Sequence, residues 1–329
     1  MSSKFKILVI DSRTMFVEKL KQQLPLNCIV VNSSSLVEDE LLELVGDIDV
    51  IVSLRVSKRL IVAADKLKMI QSVGSGVDGI DIDAATKKGV VVCSTTGLNS
   101  IPVAEHAIAL MLALAKNIVE YDKMIRRGGW PRVPSTLLDK KTLGIVGLGN
   151  IGREAAKKAE AFGMRAIAIK RRPSEELRVK LGIDFLGNQE DLPRILRESD
   201  FVIVSIPLTP ETRKMIGESE LRMMKRSAYL VNISRGEVLD EAALVRALKE
   251  KIIAGAGLDV LDIEPIKLDN PLLKLENVIF TPHAAGSAES EEVMSKRVEF
   301  IVQNIVKITK GLMPEKVVDP VLKYMVEKH

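Results

Sequence analysis

The chain has 329 residues, enough for two domains of ordinary size, each able to bury its own core. Its 48 Lys and Arg against 44 Asp and Glu leave a formal charge of +4 with the signs interspersed, and aromatic residues make up only 3%. That balance argues against a nucleic-acid partner, for want of a basic face and of base-stacking platforms, and makes a small molecule the expected partner.

The start, MSSKFKILVI followed by Asp11, lacks the apolar core and cleavage site of a signal peptide. The most apolar helical stretch, AIALMLALA at 107–115, is too short to span a bilayer. No membrane association is expected, and the chain reads as cytoplasmic. Cys28 and Cys93, the only cysteines, lie far apart in or beside apolar runs and read as ordinary buried thiols, with no disulfide framework and no metal site.

In chain order, KILVI is a strand, a helix follows near Arg13 to Gln23, and NCIVV is the next strand. A helix near Leu36 to Leu44 and the strands DVIVS and MIQSV continue the alternation, which signals βα units around a parallel sheet. From about Ile101 to Arg126 apolar positions recur too densely for a one-sided surface helix, so a buried hinge helix is expected. After the Gly- and Pro-containing stretch RRGGWPRVPSTLLDKK, a second strand series runs through TLGIVG, RAIAI, FVIVSI, YLVNI, AGAGLDV and NVIFT. A long helix is expected from Ser287 to about Lys310, returning the chain to the first lobe.

Gly147-Leu148-Gly149-Asn150-Ile151-Gly152 stands between the strand TLGIV and a helical segment. In that context the first glycine allows a tight turn, the second lets backbone approach a pyrophosphate, and the third lets helix pack on strand. The ligand-free alternative is a plain glycine-rich turn. An acidic residue that would bind the adenosine ribose is missing at the end of RAIAI, where Lys170, Arg171 and Arg172 follow. Three cations suit the 2′-phosphate of NADP better than the free hydroxyl of NAD, and they also read as a solvated basic turn.

Three histidines are available for acid–base work. His329 is the last residue, and His106, in VAEHAIALML, reads as well in helix packing as in chemistry. His283, in TPHAAG, follows the strand NVIFT at the kind of strand end where open α/β sheets place their sites.

These motifs together resemble the D-isomer-specific 2-hydroxyacid dehydrogenase family over nearly the whole chain. QSVGSGVDGIDIDAATKKGVVVCSTTGLNSIPVAEHAIALMLALAKN is similar to the family's substrate loop and hinge helix, and GIVGLGNIG to its cofactor loop. VNISRGEVLDEAALVRAL, AGLDVLDIEP and IFTPHAAG resemble its three catalytic segments, in the family's order. The resemblance implies that Arg235 binds and polarises the substrate's carboxylate and keto oxygen, that Glu264 pairs with His283, and that His283 exchanges the proton. The types fit the chemistry: hydride arriving at C2 leaves an alkoxide, which a fixed guanidinium stabilises and a carboxylate-oriented imidazole protonates. As a surface salt bridge, Arg235 and Glu264 would do nothing of the kind.

On the same resemblance, the cofactor contacts Gly147, Gly149, Asn150, Ile151, Gly152, Lys170, Arg171, Arg172, Ile206, Pro207, Thr212, Ile233, Ser234, Arg235, Asp259, His283 and Ala285, with Asp259 near the nicotinamide amide. The substrate contacts Arg55, Val73, Gly74, Ser75, Gly76, Arg235 and His283, with backbone N–H groups of Gly74, Ser75 and Gly76 directed at its carboxylate. NADP is expected in preference to NAD, and a 2-oxo acid as substrate. Formate-acting relatives have glutamine in place of Glu264, and phosphite-oxidising ones lysine in place of Ser75; both are disfavoured. Glyoxylate or hydroxypyruvate reduction is the first expectation. D-3-phosphoglycerate dehydrogenation is the alternative, on Arg55, although the separate regulatory domain common in that subfamily is not found in the sequence. A nucleotide-sensing corepressor is the alternative of another class.

The implied architecture is α/β, with two Rossmann-like or flavodoxin-like domains of parallel sheet and a cleft between them. Residues 1–101 plus 288–329 form the discontinuous substrate domain, and 102–287 the NAD(P)-binding domain. A homodimer formed through the long helix and the Trp130 segment is also implied.

Overall fold

A computed structural model describes residues 4–286 and 290–318, so His329 lies outside the described residues. The chain divides into two compact units, Met1–Asn99 with Glu289–His329, and Ser100–Ala288.

The first unit holds five parallel strands, β1 (Phe5–Ile10), β2 (Cys28–Ser33), β3 (Val50–Val52), β4 (Met69–Gln71) and β5 (Val91–Cys93), in the order β2-β1-β3-β4-β5. Helices α1 (Thr14–Gln23), α2 (Glu38–Val45), α3 (Lys58–Ala63) and α4 (Ile82–Lys88) make the crossovers. β3, β4 and β5 are buried throughout, as parallel strands covered on both faces must be, whereas β2 at the edge is half-buried. β5, which belongs to a run that sequence patterning marks only as apolar, is therefore a core strand. Cys93 lies within it, and burial pushes its thiol up to about 12. Cys28 departs from the expectation of a buried thiol: on the edge strand it is only half-buried.

The second unit opens with α5 (Ser100–Ala115) and α6 (Ile118–Arg126). Its seven strands are β6 (Thr142–Val146), β7 (Arg165–Ile169), β8 (Phe185–Gly187), β9 (Phe201–Val204), β10 (Tyr229–Asn232), β11 (Gly255–Leu258) and β12 (Val278–Phe280). All are parallel, in the order β12-β11-β10-β9-β6-β7-β8, so the strand order reverses direction at β6, a switch point where such sheets take ligands. Helices α7 (Asn150–Glu160), α8 (Glu175–Lys180), α9 (Leu192–Glu198), α10 (Glu218–Met223) and α11 (Glu241–Lys249) cover the two faces. One core layer contains Val146, Val204, Leu230 and Leu258, and the other Ile145, Phe201, Ile203 and Val231, the alternation of a strand buried on both sides.

The single hinge helix expected from Ile101 to Arg126 is instead two helices meeting at 58°. Asn117 takes a left-handed φ of +54° at the break, a conformation that Asn tolerates better than most residues, and its amide donates to the Pro134 carbonyl at 3.0 Å. α5 is buried through Val103, Ala107, Leu110, Met111 and Leu114, whereas α6 has no buried residue, so burial along the whole segment does not hold. No single helix among the described residues is long and apolar enough to cross a membrane.

The last described helix, α12 (Glu291–Thr309), rejoins the first unit, its Val298, Ile301 and Ile305 packing with Phe16, Val17 and Leu20 of α1. Its start is fixed by the Ser290 hydroxyl, which accepts from the Val293 N–H. Of the stretch expected to begin at Ser287, residues 287–289 lie outside the described residues.

Candidate active site

The loop between β6 and α7 is shaped by three glycines with different surroundings. Gly147 has φ +105°, and a Cβ there would meet the Ser205 carbonyl at 2.7 Å and Ile206 at 2.6 Å. At Gly152 a Cβ would lie 2.3 Å from the Gly147 carbonyl oxygen. Both are required by the protein's own packing. Gly149, by contrast, has nothing within 4 Å of where its Cβ would be, so its open side admits a ligand against the backbone. It is also the N-cap of α7, with no side chain capping the helix, which leaves the positive end of the helix dipole to an anion. A dinucleotide's pyrophosphate fits this arrangement; Asn150, exposed, and Ile151, half-buried, start the helix beside it.

Two neighbouring segments converge on the loop. The N–H groups of Gly147 and Leu148 both donate to the carbonyl of Ile169, which brings the end of β7 alongside. Lys170 follows, half-buried, and then the exposed Arg171 and Arg172; among the described residues none of the three pairs with a carboxylate within 4.0 Å. Ser205 Oγ donates to the Gly147 carbonyl at 2.8 Å, bringing in Ile206 and Pro207, and Thr212 Oγ1 closes that turn onto the Pro207 carbonyl at 2.7 Å.

The remaining groups stand past β10, β11 and β12. Asn232, fully buried at the end of β10, accepts from the N–H and hydroxyl of Ser234 and donates its amide to the Arg235 carbonyl at 2.9 Å, fixing the turn that carries the guanidinium. Ile233 and Ser234 are buried within that turn. At Gly236 a Cβ would fall 1.9 Å from the Leu261 carbonyl carbon, so only glycine lets the Arg235 loop lie against the segment leading to Glu264. Glu264 Oε1 accepts from the Leu261 N–H at 3.0 Å and Oε2 meets His283 Nδ1 at 2.7 Å. A carboxylate on Nδ1 makes that nitrogen the donor and so fixes the ring's tautomer. The imidazole is 44% exposed and Glu264 38%, open enough for a substrate to reach.

His283 has φ +52°, a left-handed conformation that costs a non-glycine residue about 1–3 kcal/mol. The cost is offset by Asp259, whose carbonyl accepts from the His283 N–H at 2.8 Å and whose carboxylate accepts from the N–H groups of Ala284 and Ala285, at 2.8 and 3.1 Å. Sequence reasoning assigned Asp259 to a ligand and did not find this clamp. Asn232, Gly236 and Thr281 were also missed; an Asn at a strand end followed by Ile-Ser-Arg-Gly was the available signal for the first two.

In the first unit, Val73 is buried and precedes the turn of Gly74, Ser75 and Gly76. The Gly74 N–H donates to Ser72 Oγ at 3.2 Å. Ser72 Oγ in turn donates within the turn, to the carbonyls of Gly74 and Gly76. Ser75 Oγ donates to Asn99 Oδ1 at 2.7 Å. Arg55, exposed, lies over Gly79, where a Cβ would come within 2.8 Å of its side chain.

Residues 108–285 match the model of the D-isomer specific 2-hydroxyacid dehydrogenase NAD-binding domain. The chain belongs to this family. A glyoxylate reductase of Korarchaeum cryptofilum is 42% identical over 85% of this chain and 85% of its own. A D-3-phosphoglycerate dehydrogenase of Methanocaldococcus jannaschii is 40% identical over 87% of this chain but 55% of its own length. Among solved structures, an acyclic imino acid reductase in complex with NADPH and D-arginine superimposes with a TM-score of 0.82, 28% identity and coverage of 96% of this chain and all of that one.

As a 2-hydroxyacid dehydrogenase the chain is a nicotinamide-dependent oxidoreductase acting on the CH–OH group of 2-hydroxy acids, and its glycine loop fits the cofactor on the geometry above. Replacing the imidazole separates binding from chemistry: His283→Ala is expected to lower kcat by at least about a thousandfold while nucleotide binding, followed by fluorescence titration, changes little. Wild-type-like turnover of that variant would remove His283 from the chemistry.

Proposed function

We propose that the chain reduces glyoxylate or hydroxypyruvate with NADPH in the cytoplasm, with His283 as the acid, Glu264 as its orienting partner and Arg235 as the cation that binds the 2-oxo acid. The carrying observation is the 2.7 Å contact between Glu264 and His283 Nδ1, with the other Glu264 oxygen tied to the Leu261 N–H. The bound nicotinamide supplies the hydride. Arg235 holds the substrate's carboxylate and draws charge from its keto oxygen; His283 Nε2–H delivers a proton to that oxygen as the alkoxide forms. In the oxidative direction the same nitrogen accepts the proton.

Around the nucleotide we assign Gly147, Gly149, Asn150, Ile151 and Gly152 to the pyrophosphate, Ile206, Pro207 and Thr212 to one flank, and Ile233, Ser234, Asp259 and Ala285 to the nicotinamide side. Lys170, Arg171 and Arg172 stand where an NAD-selective site would need an acid, which supports the 2′-phosphate of NADP. We assign Arg55, Val73, Gly74, Ser75 and Gly76 to the substrate, the last two through their backbone. The exposed apolar residues Ile118, Ile125, Leu137 and Trp130, the last 83% exposed, support a dimer formed by this segment. Sedimentation at micromolar concentration should give a species of twice the chain mass, and a monomer would refute this.

D-3-phosphoglycerate dehydrogenation is the second reading, favoured by Arg55, an exposed guanidinium that makes no ion pair among the described residues. Initial velocities with glyoxylate, hydroxypyruvate and 3-phosphohydroxypyruvate, each with NADPH and NADH, decide between them. Faster NADPH oxidation with the first two is expected, and a strong preference for the phosphorylated acid would transfer the assignment. For the cofactor, Lys170→Asp is expected to move the NADPH-to-NADH ratio of kcat/KM toward NADH by about tenfold or more, since it removes one charge-assisted contact and adds a repulsive charge. An unchanged ratio would make the basic turn incidental.

A further inference from the structure

We propose that His106 of α5 is a positioning residue for the reaction, acting through Thr281 and Asp259 on the turn that carries His283. The inference deepens the assignment of His283 as the acid and rests on it. His106 Nε2 lies 2.9 Å from Thr281 Oγ1, and 3.5 Å from Asp259 Oδ1. Thr281 Oγ1 is 2.5 Å from the same carboxylate oxygen, and the Asp259 side chain is only 1% exposed.

The direction of each bond follows from counting protons. The Asp259 oxygens already accept from the N–H groups of Ala284 and Ala285, so the carboxylate serves as the acceptor on this side of the turn. The single proton of the Thr281 hydroxyl therefore goes to Asp259, and toward His106 that hydroxyl can only accept. His106 Nε2 must carry a hydrogen, which fixes its tautomer. The result is one directed chain, from the imidazole on α5 to the Thr281 hydroxyl, to the Asp259 carboxylate, to the backbone on the far side of His283.

Asp259 holds His283 from both sides, through its carbonyl before the imidazole and its carboxylate after it. The turn it holds has a left-handed residue at its centre, a conformation that persists only where surrounding bonds determine it. A buried carboxylate that rotated would release both N–H groups, and Thr281 with His106 supplies the side-chain bonds that set its orientation. A packing role for His106 makes a different prediction, because an apolar side chain of similar size would then serve equally well.

The test uses the full chain with glyoxylate and NADPH, and the variants His106→Leu, His106→Gln, Thr281→Val and the His106→Leu/Thr281→Val pair. The leucine and valine variants are expected to lose between about tenfold and a hundredfold in kcat, with KM for glyoxylate within about twofold. Glutamine, whose amide N–H reaches as far as Nε2, is expected to restore kcat to within about threefold of wild type, and the double variant to be no slower than the slower single one. Wild-type kcat in His106→Leu, equal loss in the glutamine and leucine variants, or multiplicative losses in the pair would each overturn the proposal.

A second readout does not depend on turnover or on any variant folding. The chain has three histidines, and a long-range 1H–15N correlation spectrum of the wild-type protein should show His106 with its proton on Nε2. A neutral ring protonated only on Nδ1 would overturn the proposal. Absence of wild-type turnover with every 2-oxo acid would instead count against the assigned reaction, leaving the tautomer to decide the hydrogen-bond chain.

Discussion

An imidazole on a loop can deliver a proton to one point only if its ring can neither spin nor drift, and in this chain two carboxylates remove those freedoms separately. Glu264 binds Nδ1 and so sets the ring's rotation and tautomer, which on the proposed reading makes Nε2 the working nitrogen. Asp259 binds the main chain at His283 and at the two residues after it and so sets the ring's origin, in a backbone conformation the residue would not adopt alone. Both acids leave the same strand, β11, Asp259 one residue past its end and Glu264 five residues later. The Arg235 loop meets that segment only because Gly236 has no side chain to obstruct it.

The parallel sheet makes this concentration possible. Each strand of the second unit runs in the same direction, so each delivers its following loop to the same edge. The glycine loop follows β6, the basic turn β7, the Ile206 turn β9, Arg235 β10, the two acids β11, and Thr281 with His283 β12. On the proposed reading, six loops from distant stretches of sequence thereby supply the anion cradle, the cations and the acid, while the strands need only be apolar. Buried polar residues at the strand ends convert that edge into fixed geometry: Asn232 locks one turn and Asp259 another.

Much of this was legible in the sequence where the physics is local. Runs such as FVIVSI and RAIAI, in alternation with helical segments, read as strands in a covered sheet, and a Gly-x-Gly-x-x-Gly after such a strand specifies a turn and a helix start. The motifs holding Arg235, Glu264 and His283 were recognisable in order. Less local features were not. The break at Asn117 depends on an amide reaching Pro134 and on a left-handed residue inside an otherwise helical pattern. The strands β5 and β8, three residues each, were too short for a strand period to mark them, although turn-forming residues flank both. His106 was ambiguous because its partner, Thr281, lies 175 residues further along the chain. Nothing in the pattern shows Ser72 turning its hydroxyl toward the Gly74 N–H.

On the proposed reading, the geometry serves hydride delivery onto the carbon of a bound 2-oxo acid, with a proton from His283 onto its oxygen. It is tested most directly by a single turnover with glyoxylate and NADPH bearing deuterium at the transferable position of the nicotinamide ring, the glycolate being read by mass spectrometry. One carbon-bound deuterium per glycolate in the wild-type protein, with almost no glycolate from His283→Ala on the same timescale, is the predicted result. Unlabelled glycolate, or equal yields from the two proteins, would contradict it.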